Sequence, residues 1–137
     1  MRVAVVFFPL NQKIKLQNLS RALAKGIESQ GHQVDVIDGK LDVGKKLAMY
    51  QYMCLLSEST GFFGQIPQMV SFFLRDAGNL IGKRCSAFVL KSVFGSEKAM
   101  TRLMKMMEKE GMYLKYSDIF KTPEYAEGIG KQLHVKD

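Results

Sequence analysis

Short apolar runs alternate with helical patterns along nearly the whole chain, and this alternation restricts the fold more than any other feature. Three runs, residues 3–8, 52–56 and 86–90, are continuously apolar, as in strands that are covered on both faces. Residues 33–38 and 112–119 also have strand patterns but carry charged side chains, which predicts strands at the edges of a sheet. Strands that alternate with helices favour a parallel sheet with helices on both faces.

Four helical patterns follow the first, third, fourth and fifth strands. Ser96 is a candidate N-cap for the third helix, and the sequence Thr122-Pro123-Glu124 is typical of the start of the fourth. With the charged strands at the two edges, the predicted order is 2-1-3-4-5 in a five-stranded parallel sheet. The sequence therefore predicts an α/β fold, a three-layer doubly wound sandwich, in one domain that spans residues 1–137.

Composition and charge narrow the class of protein. Apolar residues make up 47% and charged residues 24% of the chain, which is ordinary for a globular domain. The first residues, MRVAVVFFPLNQK, lack the small-residue cleavage site of a signal peptide, so we interpret them as a strand and expect a cytoplasmic protein. No apolar run approaches the ~18 residues of a membrane span, and we expect no membrane partner.

The net charge of +7 favours anionic partners, of which nucleic acid is the first to consider. The 20 Lys and Arg residues are, however, spread along the whole chain. One helical face carries Lys98, Arg102, Lys105 and Lys109, but acidic residues share that helix, and we interpret the face as solvated. We therefore expect no nucleic-acid partner.

The stretch that follows the third strand is the strongest candidate for a ligand site. In an open parallel sheet, ligands bind just outside the carboxyl ends of the strands. Small and hydroxyl residues there surround an aromatic pair, Phe62 and Phe63, which favours a flat ring as the ligand. The alternative is that the two rings only cover the end of the sheet as ordinary hydrophobic contacts.

Three segments give the chain a resemblance to the flavodoxin family over nearly its whole length. Residues 22–39 (ALAKGIESQGHQVDVIDG) resemble the family's first helix, Gly turn and second strand. Residues 58–67 (ESTGFFGQIP) and 91–100 (KSVFGSEKAM) resemble the two loops that enclose the flavin ring. The match at 58–67 is the most specific, because a Phe-Gly pair and a Pro recur in register.

This resemblance implies an FMN-binding electron carrier or a small flavin-dependent reductase, that is, an oxidoreductase if the protein is an enzyme. The implied partners are a flavin ring and either a nicotinamide donor or an acidic redox protein. The implied ring pocket has one wall from the loop after the third strand and a second wall from the loop after the fourth. Its residues would be Ser59, Thr60, Gly61, Phe62, Phe63 and Gly64 on the first side, and Ser92, Val93, Phe94 and Gly95 on the second.

The loop after the first strand departs from the family's phosphate loop, which is rich in Ser, Thr and Gly. Residues 9–16 contain none of these, and Ile14 stands where the loop glycine would be. The candidate phosphate contacts are Asn11, Gln12, Lys13 and Lys15, although for the two lysines we favour the alternative that they are only solvated. We expect weak FMN binding, micromolar in order, that falls with salt and differs little from riboflavin binding. The alternative is a flavodoxin fold that has lost its flavin and serves as a binding or interaction module.

The remaining reactive side chains give no further site. Cys54 and Cys85 lie on neighbouring predicted strands, where they are either a redox pair or, as we favour, buried structural thiols. His32 and His134 have no partner at ligand spacing, so we expect no metal site. No set of residues indicates a catalytic centre.

Overall fold

The structure is a computed structural model that describes residues 1–136. Asp137, the last residue of the predicted domain, lies outside the described residues. The described residues form five strands and four helices, and these follow one another along the chain in the order that the sequence predicts. They are β1 (Arg2–Phe8), α1 (Lys13–Glu28), β2 (Gln33–Asp38), β3 (Tyr52–Ser57), α2 (Met69–Asp76), β4 (Arg84–Leu90), α3 (Ser96–Lys109), β5 (Tyr113–Phe120) and α4 (Pro123–Gln132).

All five strands are parallel and lie in the order β2-β1-β3-β4-β5, which confirms the predicted fold class. Every residue of β3 is buried, and so are all residues of β1 and β4 after the first. In β2 and β5 most residues are exposed or partly exposed. The charged strands therefore do form the edges, because only there can a strand keep charged side chains in water.

Alternate side chains of the central strands enter two separate hydrophobic cores. On one face, Ala4, Val6 and Phe8 pack with residues of α2 and α3. On the other face, Val3, Val5 and Phe7 pack with residues of α1 and α4. This division follows from the two-residue period of a strand, and it gives the three layers that the sequence predicts.

Of the two N-caps that the sequence predicts, the structure confirms one and contradicts the other. The Thr122 side chain accepts a hydrogen bond from the Tyr125 N–H at 3.2 Å, with Pro123 in the first turn, so the predicted cap of α4 is confirmed. The N-cap of α3 is Gly95, with φ of 77°, and the prediction of Ser96 was wrong by one residue. Ser96 is already helical, and its hydroxyl turns back to bond Ser92.

Candidate functional site

Three loops meet at the carboxyl edge of the sheet, where β1, β3 and β4 end side by side. They are the β1–α1 loop (residues 9–12), the β3–α2 loop (residues 58–68) and the β4–α3 loop (residues 91–95). Two sets of predicted ring residues, 59–64 and 92–95, lie in the second and third of these loops. Asn11 and Gln12 belong to the first loop, and Lys13 and Lys15 to the first turn of α1.

The β3–α2 loop holds its shape through a small hairpin of its own. The Thr60 N–H donates to the Gln65 carbonyl at 2.7 Å, and the Gln65 N–H donates back to the Thr60 carbonyl at 3.0 Å. Gly61 and Gly64, both with positive φ, turn the chain between these two residues. Phe62 and Phe63 lie in this turn, and both are largely exposed to solvent.

Side-chain and backbone contacts join the β3–α2 loop to the β4–α3 loop. The hydroxyl oxygens of Ser59 and Ser92 lie 3.3 Å apart, and the Ser92 N–H donates to the Ser96 hydroxyl at 2.8 Å. From α3, the Arg102 guanidinium donates to the Phe63 carbonyl. The two predicted walls are therefore in direct contact.

Phe62 and Phe94 form the aromatic part of this edge. Their ring centroids are 5.5 Å apart with an interplanar angle of 63°, an edge-to-face pair. Both rings are largely in solvent, with 72% of Phe62 and 57% of Phe94 exposed. The Lys98 ammonium lies 5.9 Å from the centroid of the neighbouring Phe63 ring.

Six of the fifteen exposed large hydrophobic side chains among the described residues lie in or beside these three loops. Isolated exposed apolar residues are common, so their grouping at one edge is the notable feature. The group consists of Leu10, Ile14, Phe62, Phe63, Val93 and Phe94.

A shallow cavity of about 280 Å³ opens between Phe62 and the segment from Lys91 to Lys98. A larger cavity of about 500 Å³ lies elsewhere, between β5 and the last turn of α4, with Lys115, Tyr116 and His134 in its lining. Small-molecule sites usually measure about 300–1,000 Å³, so the volume of this cavity beside Phe62 is just below that range.

The β1–α1 loop is bound by the side chain of a glutamate from the β3–α2 loop, and this glutamate was not among the predicted site residues. Glu58 follows β3 directly, and its carboxylate accepts hydrogen bonds from three consecutive backbone N–H groups of the neighbouring loop. The distances are 2.7 Å from Leu10, 3.1 Å from Asn11 and 2.9 Å from Gln12. The residue is only 3% exposed. The sequence signal that could have identified it is an acidic residue directly after a buried strand.

The two predicted lysines lie just beyond this carboxylate, at the start of α1. The Lys13 ammonium is 3.7 Å from a carboxylate oxygen of Asp38, at the end of β2. Lys15 is exposed. Both cations therefore contribute positive charge to the carboxyl edge, and Lys13 is partly neutralised by Asp38.

The two cysteines are not placed as a redox pair. In the register of β3 and β4, Met53 faces Cys85 and Cys54 faces Ser86, so the two thiols point to opposite faces of the sheet. Burial raises the pKa of both thiols, in each case to about 12. Buried, protonated thiols are poor nucleophiles, which agrees with the structural role favoured by the sequence.

Two negative findings hold for residues 1–136. No group of three or more His, Cys, Asp or Glu side chains is placed to hold a metal ion in this part of the chain. None of the helices among the same residues is both long and apolar enough to cross a membrane.

Comparison with solved structures places this geometry in one class of fold. A flavodoxin from the domain Archaea has a TM-score of 0.75 at 20% identity, with 96% of this chain and 95% of that one covered. Oxidised flavodoxin 1 from Bacillus cereus has a TM-score of 0.74 at 17% identity, with 95% of each chain covered. Two-electron reduced flavodoxin from Megasphaera elsdenii has a TM-score of 0.75 at 14% identity, with 94% and 96% covered. No protein-family model and no curated protein sequence matches the chain.

The chain therefore has a flavodoxin-like fold, and the resemblance seen in the sequence is confirmed at the level of fold. FMN, the cofactor which that resemblance implies, fits this site only in part. The exposed aromatic pair Phe62 and Phe94 is compatible with a flat ring. A phosphate group does not fit the β1–α1 loop, because the Glu58 carboxylate already accepts hydrogen bonds from its N–H groups.

Proposed function

We propose that this protein is a flavodoxin-like redox protein that binds a flavin ring weakly at its exposed aromatic edge. Its role would be that of an electron carrier or a small flavin-dependent reductase. The observation that carries the proposal is the pair of exposed rings, Phe62 and Phe94, at the carboxyl edge of a flavodoxin-like sheet. Ligands of open α/β sheets bind at this edge.

Aromatic side chains at such a position favour a planar ligand over a flexible one. A flat ring gains stacking energy on a phenyl face, and stacking on an aromatic is worth roughly 1–3 kcal/mol per ring. Phe62 and Phe94 stand edge to face, so a flat ligand would stack on one ring and meet the edge of the other, and the two residues are 72% and 57% exposed. Covering them with a ligand would also remove apolar surface from water.

Weak binding follows from the other half of the site. The β1–α1 loop contains no Ser, Thr or Gly, and its N–H groups bond Glu58. A phosphorylated flavin would therefore gain little from its phosphate beyond a long-range attraction to Lys13 and Lys15. We propose a dissociation constant for FMN of micromolar order.

Titration of riboflavin and FMN with the protein tests this proposal, with quenching of flavin fluorescence as the readout. We expect saturable quenching by both ligands, with dissociation constants within about tenfold of each other. The colour of the concentrated protein is a second observation, since bound flavin is yellow. Absence of quenching at protein concentrations of about 100 μM would exclude a flavin-dependent role.

The second candidate is an interaction module that uses the same edge to bind another protein. The supporting observation is the group of exposed apolar side chains beside Lys91, Lys98 and Arg102. An apolar centre with a basic rim is complementary to an acidic partner with an exposed apolar residue. If flavin binding is absent, this candidate becomes the better one.

A further inference from the structure

We propose that Glu58 determines the ligand specificity of the carboxyl edge by occupying the backbone N–H groups of residues 10–12, which an anionic ligand would otherwise use. The chain's own carboxylate takes the place of a ligand phosphate. The site would therefore accept flavin rings irrespective of phosphorylation, or prefer the unphosphorylated ring. The inference about ligand choice depends on the proposed function, whereas the occupancy of the donors can be tested without any flavin.

The hydrogen-bond geometry shows that Glu58 is a built-in anion for this loop. Both carboxylate oxygens are engaged: Oε2 accepts from the Leu10 and Gln12 N–H groups, and Oε1 accepts from the Asn11 N–H. All three distances lie between 2.7 and 3.1 Å, as expected for charge-assisted hydrogen bonds. The side chain has almost no contact with water, so little competes for these donors.

Helix α1 provides a second reason why an anion is held at this position. The N-cap residue Gln12 makes no side-chain capping bond, and the first turn contains no acidic residue. That turn instead carries Lys13 and Lys15, whose charges are unfavourable near the positive end of the helix dipole. Glu58, directly after β3, supplies the negative charge that the first turn of α1 lacks.

A phosphate would have to displace this carboxylate in order to use the same donors. Each of the three N–H groups already has an oxygen partner at normal hydrogen-bond distance. A phosphate of about −1.5 to −2 charge placed beside Glu58 would also be repelled by it. A displaced Glu58 would leave a nearly buried carboxylate without partners, which is strongly unfavourable.

Glu58 is close in sequence to the aromatic wall, so the occupied donors and the rings belong to one site. Only three residues separate Glu58 from Phe62, and the first of them, Ser59, bonds across to Ser92. A change at position 58 would therefore alter the polar end of the site and leave the aromatic end in place.

The experiment compares wild type with Glu58→Ser, which removes the carboxylate and leaves a small hydroxyl. Glu28→Ser is the matched control, because Glu28 is an exposed acid at the end of α1 remote from this loop and its loss changes the net charge equally. The first measurement is the shift in thermal midpoint on adding inorganic phosphate, and the second is the ratio of riboflavin to FMN dissociation constants.

We expect phosphate to stabilise Glu58→Ser saturably, with no such effect on wild type or on Glu28→Ser. The preference for FMN over riboflavin should rise about tenfold or more in Glu58→Ser alone, because the freed N–H groups then bond the phosphate. Equal phosphate shifts in all three proteins, or none in Glu58→Ser, would overturn the proposal.

The proposal can still be tested if Glu58→Ser fails to fold or if riboflavin does not bind. If Glu58→Ser does not fold in plain buffer, phosphate and acetate are added as replacements for the lost carboxylate. Recovery of the far-ultraviolet circular dichroism with either anion supports the proposal, and failure with both contradicts it. If no protein binds riboflavin, the proposed redox function is wrong, while the phosphate measurement still decides whether Glu58 occupies an anion site.

Discussion

The backbones of Gly64 and Gly95 are in direct contact where the β3–α2 loop meets the start of α3. A Cβ atom on Gly64 would lie 2.1 Å from the Gly95 carbonyl oxygen, and a Cβ on Gly95 would lie 2.4 Å from the Gly64 nitrogen. Both residues have positive φ, 68° and 77°. This contact sets the spacing of the two loops that carry Phe62 and Phe94.

We expect Gly64→Ala to destabilise the protein more than Gly61→Ala does. Gly61 has a similar φ of 66°, but a Cβ there would meet nothing within 4 Å, so it isolates the cost of the left-handed backbone. That cost is about 1–2 kcal/mol, and the overlap at Gly64 should add about 1–3 kcal/mol. Urea unfolding of both variants measures the difference, and equal losses of free energy would show that the loops can separate without cost.

We expect Phe62→Ala to weaken riboflavin binding without unfolding the protein. Loss of one stacking face should reduce affinity by roughly 1–3 kcal/mol, and the ring is too exposed to contribute much to the core. Phe72→Ala is the control, because Phe72 is a half-exposed aromatic on α2, outside both loops. Fluorescence titration of the two variants provides the comparison. An unchanged affinity in Phe62→Ala would mean that Phe62 does not stack on the ligand.

The fold could be predicted because its signals are carried by whole segments. The apolar runs of β1, β3 and β4 and the charged residues of β2 and β5 fix which strands are central, and no single residue decides the result. Predicted and observed strand ends differ by at most two residues. Burial on both faces is a property of many side chains together, so a pattern can report it.

The hydrogen-bond partners within the site could not be predicted in the same way, because each partnership depends on a single contact and some of these contacts join distant residues. Glu58 bonds residues 46 to 48 positions earlier. Its place directly after a buried strand marks it as a candidate, but does not show that its side chain turns toward the β1–α1 loop. Long-range partners of this kind are set by tertiary packing. The prediction for Ser96 failed for a local reason, since its hydroxyl bonds Ser92, four residues earlier, and does not cap α3.

Lys13 and Lys15 should contribute only a salt-sensitive attraction to phosphorylated ligands. Replacing both with Ala should raise the FMN dissociation constant a few-fold at low salt and leave riboflavin unchanged, because exposed charges contribute up to about 1 kcal/mol each. At about 1 M salt the difference should vanish, since the screening length is then about 3 Å. Lys105→Ala with Lys109→Ala removes the same charge from α3 and serves as the control. Equal weakening of riboflavin binding would show that the lysines act on the ring.

The thiols of Cys54 and Cys85 should be inaccessible in the native protein. Both residues are fully buried, and the Ser86 hydroxyl donates to the Cys54 sulfur at 3.2 Å. We expect a thiol reagent such as Ellman's reagent to label neither residue at about pH 8 on the timescale of minutes, and both after unfolding in urea. Rapid labelling of the native protein would mean that the strands open far more readily than their burial indicates.

The same two thiols should make the protein less stable at alkaline pH. Burial raises the pKa of both to about 12, whereas in the unfolded chain they ionise near pH 8.5. A group with a raised folded pKa contributes stability that is present below its unfolded pKa and is lost as pH rises toward its folded pKa. The free energy of unfolding should therefore fall from about pH 8.5 upward.

The pKa of Tyr50 is also raised to about 12, by burial and by its bond to Asp35, but tyrosines add to the loss only above about pH 10. Urea unfolding between about pH 8 and 10 should thus show a negative slope that becomes smaller when Cys54→Ala and Cys85→Ala are combined. An identical slope in that double variant would exclude the thiols as its cause.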